Sequence, residues 1–156
     1  MKNIFLILLI SISPTVTLAE ASPTKCQCQP VASVLDSKNS ATHVFVGEVL
    51  DVILGTNFNV ESEKEFLVKT RIKRFWKGNF QEEITIRTPQ KKEACGLQFA
   101  IGQQYLIYGI GEASPLTTSC SRTVQIDNEN AKNDLKHLGE AQFIALPDMK
   151  VPDFMQ

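Results

Sequence analysis

The sequence predicts a small, mainly β domain whose five strands close into a barrel, with a short N-terminal helix and one C-terminal helix. Residues 65–76 alternate cleanly between apolar and polar, which is the pattern of a half-buried antiparallel strand. One face would carry Phe66, Val68, Thr70 and Ile72, and the other Lys69, Arg71 and Lys73. Further short apolar segments, separated by glycine- and proline-containing turns, extend this pattern along the chain.

Five segments have the composition of strands. They cover residues 43–54, 65–76, 83–88, 104–110 and 116–126. Gly47 lies inside the first strand and predicts a bulge or sharp bend there. A polar loop at 90–98 holds Cys95, and the fifth strand contains Cys120.

Two helices are expected. Pro30 can open a short helix at residues 31–36. The second can be capped by Asp127 or Asn128 and terminated by Gly139. Its apolar face would carry Ala131, Leu135 and Leu138.

Five bent strands with an added helix suit an OB-type closed β-barrel. A sandwich is the alternative, and it is favoured less because the immunoglobulin type has seven strands rather than five.

The first residues have the layout of a secretory signal peptide. A positively charged start precedes an apolar run at 4–12, and small residues offer cleavage after Ala19 or after Ala21. We therefore expect a signal peptide at 1–19, a polar lead-in at 20–25 and a secreted or periplasmic protein. A membrane anchor is disfavoured because the apolar run is shorter than the ~20 residues a membrane-spanning helix needs.

Four cysteines in an exported chain predict two disulfides, because the compartment is oxidising. A bond between Cys26 and Cys28 would close a very tight ring and is the least favoured pairing. The other two connectivities stay open, since composition does not distinguish them. A zinc site of Cys26, Cys28, Cys95 and Cys120 is the disfavoured alternative.

The charge is close to neutral, with 16 Lys and Arg against 17 Asp and Glu. No polyanionic or membrane partner is therefore required. Lys69, Arg71 and Lys73, near Phe75 and Trp76, could form a strip that binds single-stranded nucleic acid. In an exported, near-neutral chain we expect instead an ordinary solvated strand face and no nucleic-acid partner.

No catalytic constellation is marked in the sequence. The two histidines, His43 at a strand start and His137 in the last turn of a helix, are expected to be structural. No phosphate loop, nucleophile elbow or His-Glu-x-x-His signature occurs. We expect no enzymatic activity, no cofactor and no metal ion of the protein's own.

The motifs taken together resemble a known family. They run in the order Cys26-x-Cys28-x-Pro30, Ala41-Thr42-His43-Val44-Phe45-Val46-Gly47-x-Val49, Phe75-Trp76-Lys77-Gly78, Thr88, Cys95-Gly96-x-x-Phe99, Gly102-x-x-Tyr105-Leu106-Ile107-Tyr108-Gly109 and Cys120. This series is similar to the netrin-like domain, and most of all to the N-terminal domain of the tissue inhibitors of metalloproteinases. The resemblance covers residues 26–139 and leaves 140–156 as a tail that we expect to be loosely packed.

The resemblance implies an OB barrel with Cys26 bonded to Cys95 and Cys28 bonded to Cys120. The family's third bridge in this domain has no counterpart here. In the family, the α-amine and carbonyl of the first cysteine chelate the zinc of the target protease and displace its water. Carried over, Cys26 would be that chelator and Gln27 would enter the specificity pocket, although Gln27 is longer than the small residues usual there. Cys28, Gln29 and Pro30 would continue along the cleft of the protease.

Both signal-peptidase sites leave residues before Cys26, and an acylated amide nitrogen does not chelate zinc as an amine does. Lys25 directly precedes Cys26, so a trypsin-like cut after Lys25 would expose the amine. This suggests a latent, monomeric inhibitor of a zinc metalloprotease that a second cleavage matures. The alternative is a non-inhibitory netrin-like module that binds another extracellular or periplasmic protein.

Overall fold

The computed structural model of the chain describes residues 25–30, 32–56, 64–79 and 81–143. The predicted signal peptide and the tail beyond residue 143 lie outside the described residues, as does all of the 20–25 lead-in except Lys25.

Five strands form one antiparallel sheet in the order β3-β2-β1-β4-β5. The strands are β1 at His43–Thr56, β2 at Lys64–Lys77, β3 at Glu83–Pro89, β4 at Gln104–Gly109 and β5 at Val124–Gln125. The prediction of a mainly β fold with five strands and two helices is confirmed, and four of the strands lie within two residues of their expected bounds.

The predicted closure into an OB-type barrel is not supported, because the sheet is open. Within the described residues no ladder joins β3 to β5. In the described residues, the segment at 114–117 lies between the two ends of the sheet. Leu116 makes one parallel bridge to Arg87 in β3 and one antiparallel bridge to Ile110 after β4, and the Arg87 amide donates to the Pro115 carbonyl at 2.9 Å. Two single-residue bridges leave a gap where a barrel would have a continuous strand.

The expected fifth strand at 116–126 shrinks to the two residues of β5. Its middle is a pair of turns in which hydroxyl groups bond to each other and to nearby backbone. Ser121 Oγ donates to the Thr118 carbonyl at 2.7 Å, and Thr117 Oγ1 lies 2.6 Å from Thr123 Oγ1. Local bonds of this kind compete with a strand ladder. Arg122 also has a left-handed φ of 61°, which a strand cannot contain.

The bend predicted at Gly47 is present. The register between β1 and β2 shifts between Val46 and Gly47, and further shifts lie on either side. A Cβ at this position would lie 2.9 Å from the ring of Phe45, so glycine allows the close approach. The resulting bend lets β1 pair with β4 over its first six residues and with β2 along nearly all of its length.

The first half of β1 and most of β4 are buried on both faces, whereas Ile53 and Leu54 near the end of β1 are exposed. On one face Val44, Val46, Leu106 and Tyr108 pack against the two helices. On the other face the core consists of Phe45, Val49, Val68, Ile72, Ile86, Tyr105 and Ile107. The alternation read for β2 is confirmed, since its apolar face lies in this second core.

Helix α1 spans Val34–Ser40, later than the predicted 31–36. The physical reason is Ser33, whose hydroxyl accepts from the Asp36 amide at 3.1 Å and caps the helix there. Helix α2 spans Glu129–His137 and is capped by Asn128, as expected. Ala131 and Leu138 are buried and Leu135 packs partly against the same core.

Candidate functional site

The N-terminal segment at 25–30 has no regular secondary structure, and two disulfides hold it to the domain. Cys26 is bonded to Cys95 and Cys28 to Cys120. These are the pairs that the family resemblance implies. Cys95 follows a short 3-10 helix at Lys92–Ala94 and has a left-handed φ of 62°.

The two disulfides lie against each other. Cys120 Sγ is 3.6 Å from Cys95 Sγ and 3.8 Å from Cys26 Sγ, so all four sulfurs lie within 4.8 Å of one another. The four cysteines are thus close enough together for the zinc site that the sequence alone disfavours. In the disulfide form, however, none of the four sulfurs is a thiolate, and thiolate is the form that binds zinc.

We call residues 26–30 the N-terminal edge. Cys26 is half-buried, whereas Gln27, Cys28, Gln29 and Pro30 are exposed. A cleft of about 380 Å³ lies between this edge, helix α1 and the turn that carries Cys120. The edge is therefore an exposed surface. Disulfides fix its backbone at Cys26 and Cys28, and the side chains of Gln27, Gln29 and Pro30 are accessible to a partner.

The turn at 119–122 connects the edge to the rest of the domain. Its Ser119 amide donates to the Cys95 carbonyl at 2.8 Å, and Ser119 Oγ lies 3.6 Å from Cys26 Sγ. Its Cys120 forms the second disulfide. Both bridges are thus anchored at the same turn.

Arg122 ends this turn and was not singled out from the sequence. Its Nη1 donates to the Ala32 carbonyl at 2.8 Å, just beyond the edge. Its Nε donates to Asp134 Oδ2 at 2.9 Å, and Nη2 donates to Asp134 Oδ1. One guanidinium therefore links the N-terminal segment to helix α2.

Asp134 is 1% exposed, and Tyr108 Oη also donates to it, at 3.1 Å. Burial, followed by the neighbouring Asp134 carboxylate, raises the pKa of Tyr108 well above its ordinary value of 10. The Asp134 carboxylate likewise raises the pKa of Arg122. Removing one partner of a buried and fully paired carboxylate costs several kcal/mol of folding stability. The contacts with Asp134 therefore hold Arg122 and Tyr108 in place.

A signal for this network does exist in the sequence. Asp134 lies three residues after Ala131 and four before Leu138, on the apolar face of α2. A charged residue on a buried helix face requires a buried partner. The sequence does not identify Arg122 as that partner, because Arg122 lies in a segment that reads as a strand.

The histidines lie away from the N-terminal edge. His43 is 2% exposed, its Nδ1 lies 2.9 Å from Thr42 Oγ1, and burial lowers its pKa. His137 is exposed in the last turn of α2 and pairs with the Asn133 carbonyl at 2.8 Å.

The basic residues on the outer face of β2 are neutralised. Lys69 Nζ lies 2.6 Å from Glu83, which Arg71 also contacts at 3.1 Å, and Lys73 Nζ lies 2.6 Å from Glu48. The bond from Lys69 is the main cause that lowers the pKa of Glu83, and the bond from Lys73 does the same for Glu48. All three of these cations are therefore paired with carboxylates.

No helix in the described part of the chain is both long and apolar enough to cross a membrane. No protein-family model matches the chain, and a search of the curated proteins finds no match.

Proposed function

We propose that the chain is an exported, single-domain inhibitor of zinc metalloendopeptidases, related to the netrin-like domains, that acts by protein–protein contact and has no enzymatic activity. The observation that carries the proposal is the N-terminal edge: four exposed residues after Cys26, held by two adjoining disulfides. A rigid projecting edge loses little conformational entropy when it enters a protease cleft, which favours tight binding.

The inhibitory chemistry needs the α-amine of Cys26. An α-amino group has a pKa of about 8, so a sizeable neutral fraction exists near pH 7.5 and its lone pair can bind zinc. The amine and the Cys26 carbonyl would together replace the water that zinc activates for hydrolysis. Gln27 would then point into the specificity pocket, where its length favours a deep pocket with polar groups.

Maturation would occur at the bond after Lys25. Lys25 is exposed and lies in a segment without regular secondary structure, as a scissile bond for a trypsin-like protease requires. Until that bond is cut, the nitrogen of Cys26 is an amide, which is not a zinc ligand of useful strength. The uncut protein would therefore be latent.

The test compares two forms of the protein, one starting at Glu20 and one starting at Cys26, against a panel of zinc metalloendopeptidases. The Cys26 form should inhibit at least one protease, and acetylation of its α-amine should abolish that inhibition. The Glu20 form should be inactive and gain activity when a trypsin-like protease cuts after Lys25, with the new N-terminus verified by mass spectrometry. The Glu20 form carrying Lys25→Ala is the matched control and should stay inactive.

A non-inhibitory binding module is the second candidate. It is favoured because the nitrogen of Cys26 is still an amide after either predicted signal-peptidase cut, and an amide nitrogen does not chelate zinc as an amine does. If the Cys26 form inhibits no protease of the panel, the inhibitor proposal fails and the binding module is the remaining function. If the Glu20 form inhibits as strongly as the Cys26 form, latency is refuted while inhibition stands.

A further inference from the structure

The N-terminal edge is followed by a second anchor that is not a disulfide. Cys28 is bonded to Cys120, and four residues later the Ala32 carbonyl accepts from Arg122. The two anchoring residues, Cys120 and Arg122, are two positions apart in the same turn. Cys28 and Ala32 are thus both held to one small element, on either side of Gln29 and Pro30.

The guanidinium can act as an anchor because it is itself held in place. Its Nε and Nη2 engage the buried Asp134 in a fork, which leaves Nη1 pointing at Ala32. A planar guanidinium sets these directions together, whereas a lysine ammonium lacks the fixed fork that engages both carboxylate oxygens while a third N–H faces the carbonyl. Arg122 also has a left-handed φ of 61°, a backbone conformation that is uncommon for a residue other than glycine.

The geometry points to Arg122 as the positioning residue of the N-terminal edge, one that holds Gln29 and Pro30 in the orientation a partner meets, with Asp134 as the group that orients Arg122. The effect on protease binding rests on the proposed function. The role of Arg122 in holding the edge in place does not depend on it. Arg122 touches no target in this scheme and acts only through the segment from Cys28 to Ala32.

Arg122→Lys is the informative variant, because it keeps a positive charge beside Asp134 and removes the fork. The chain offers a matched control in Arg87→Lys. Arg87 makes the same kinds of contact away from the edge: its Nη1 contacts Glu65 at 3.0 Å and its Nε donates to the Ser114 carbonyl at 3.0 Å. The control therefore reproduces the chemical change at a more exposed pair, since the Glu65 side chain is 13% exposed and that of Asp134 is 1% exposed.

The first readout is backbone order from ¹⁵N relaxation of the protein that starts at Glu20. In Arg122→Lys the order parameters of Gln29 and Ala32 should fall from about 0.85 to below about 0.6, while those of β4 stay rigid. Arg87→Lys should leave both regions unchanged. The inference is overturned if Gln29 and Ala32 stay rigid in Arg122→Lys, or if order falls equally in β4, because the residue would then only stabilise the fold.

The second readout is the dissociation rate from a protease that the Cys26 form inhibits. Arg122→Lys should dissociate about tenfold faster, because a loosened edge must be ordered again when it binds, and Arg87→Lys at the original rate. An unchanged rate in Arg122→Lys overturns the link to binding. If the original protein inhibits no protease, the proposed function has failed, and the relaxation measurement still decides whether Arg122 positions the edge.

Discussion

Removing the Cys28–Cys120 disulfide while Cys26–Cys95 stays in place should lower the free energy of unfolding by about 3.5 kcal/mol. Taken alone, this bridge spans 92 residues, and chain entropy for such a loop predicts about 4.6 kcal/mol. The bridges are not independent, however. With one present, the other closes a shorter loop through the two-residue step from Cys26 to Cys28 and the 25 residues from Cys95 to Cys120.

The measurement is guanidinium unfolding with linear extrapolation. Cys28→Ala/Cys120→Ala and Cys26→Ala/Cys95→Ala should each lose about 3.5 kcal/mol, since each removes the same shared loop of about 27 residues. The second pair also loses packing, because Cys26 and Cys95 are half-buried and the other two cysteines are exposed. The variant lacking all four should lose about 8 kcal/mol, because the last bridge removed closes a long loop.

Two outcomes would refute this reasoning. One is a loss of about 4.6 kcal/mol or more when only Cys28–Cys120 is removed, which would mean that the two loops are independent. The other is a four-alanine variant that is no less stable than either variant with one bridge. In that case the second bridge would not constrain the unfolded chain.

Three further predictions concern pH and packing. Burial lowers the pKa of His43 below the 6.5 of a free imidazole. The free energy of unfolding should therefore decrease as the pH falls below 6.5, by at most about 1.4 kcal/mol per pH unit. In urea unfolding at a series of pH values, His43→Gln should remove this dependence and His137→Gln should keep it. Burial raises the pKa of Tyr108 above 10, so stability should decrease as the pH rises beyond 10, less steeply in Tyr108→Phe than in Tyr105→Phe. Gly96→Ala places a Cβ 1.9 Å from the carbonyl oxygen of Pro89. It should lower the free energy of unfolding in urea by about 1–3 kcal/mol. A loss below ~0.5 kcal/mol would contradict the steric argument.

The sequence predicts the strands where the pattern is local. In β2 the alternating residues Val68, Thr70 and Ile72 are buried, because side chains of a strand point to opposite faces in turn. The cap at Asn128 is likewise readable, since an Asn side chain satisfies the helix amide two residues later.

The sequence-based prediction fails where side-chain hydroxyl groups can form local hydrogen bonds that compete with a strand ladder. The segment around Thr117 and Thr123 is rich in residues that favour strands, yet these side chains bond to one another and form turns. The sheet consequently lacks the strand that would close it, and Leu116 contributes only two bridges. Composition does not reveal this, because the competing bonds depend on where the chain is already held by Cys120 and Arg122.

The sequence by itself determined that the domain is mainly β, where four of its strands and its second helix lie, and that its cysteines belong in disulfides, because periodicity and cysteine chemistry act over short stretches. The tertiary structure decided what happens between distant residues. The Arg122 guanidinium and the Ala32 carbonyl are 90 residues apart, and no local pattern relates them. Their contact exists because Asp134, on the buried face of helix α2, requires a cation, and the cation that satisfies it also reaches the N-terminal segment.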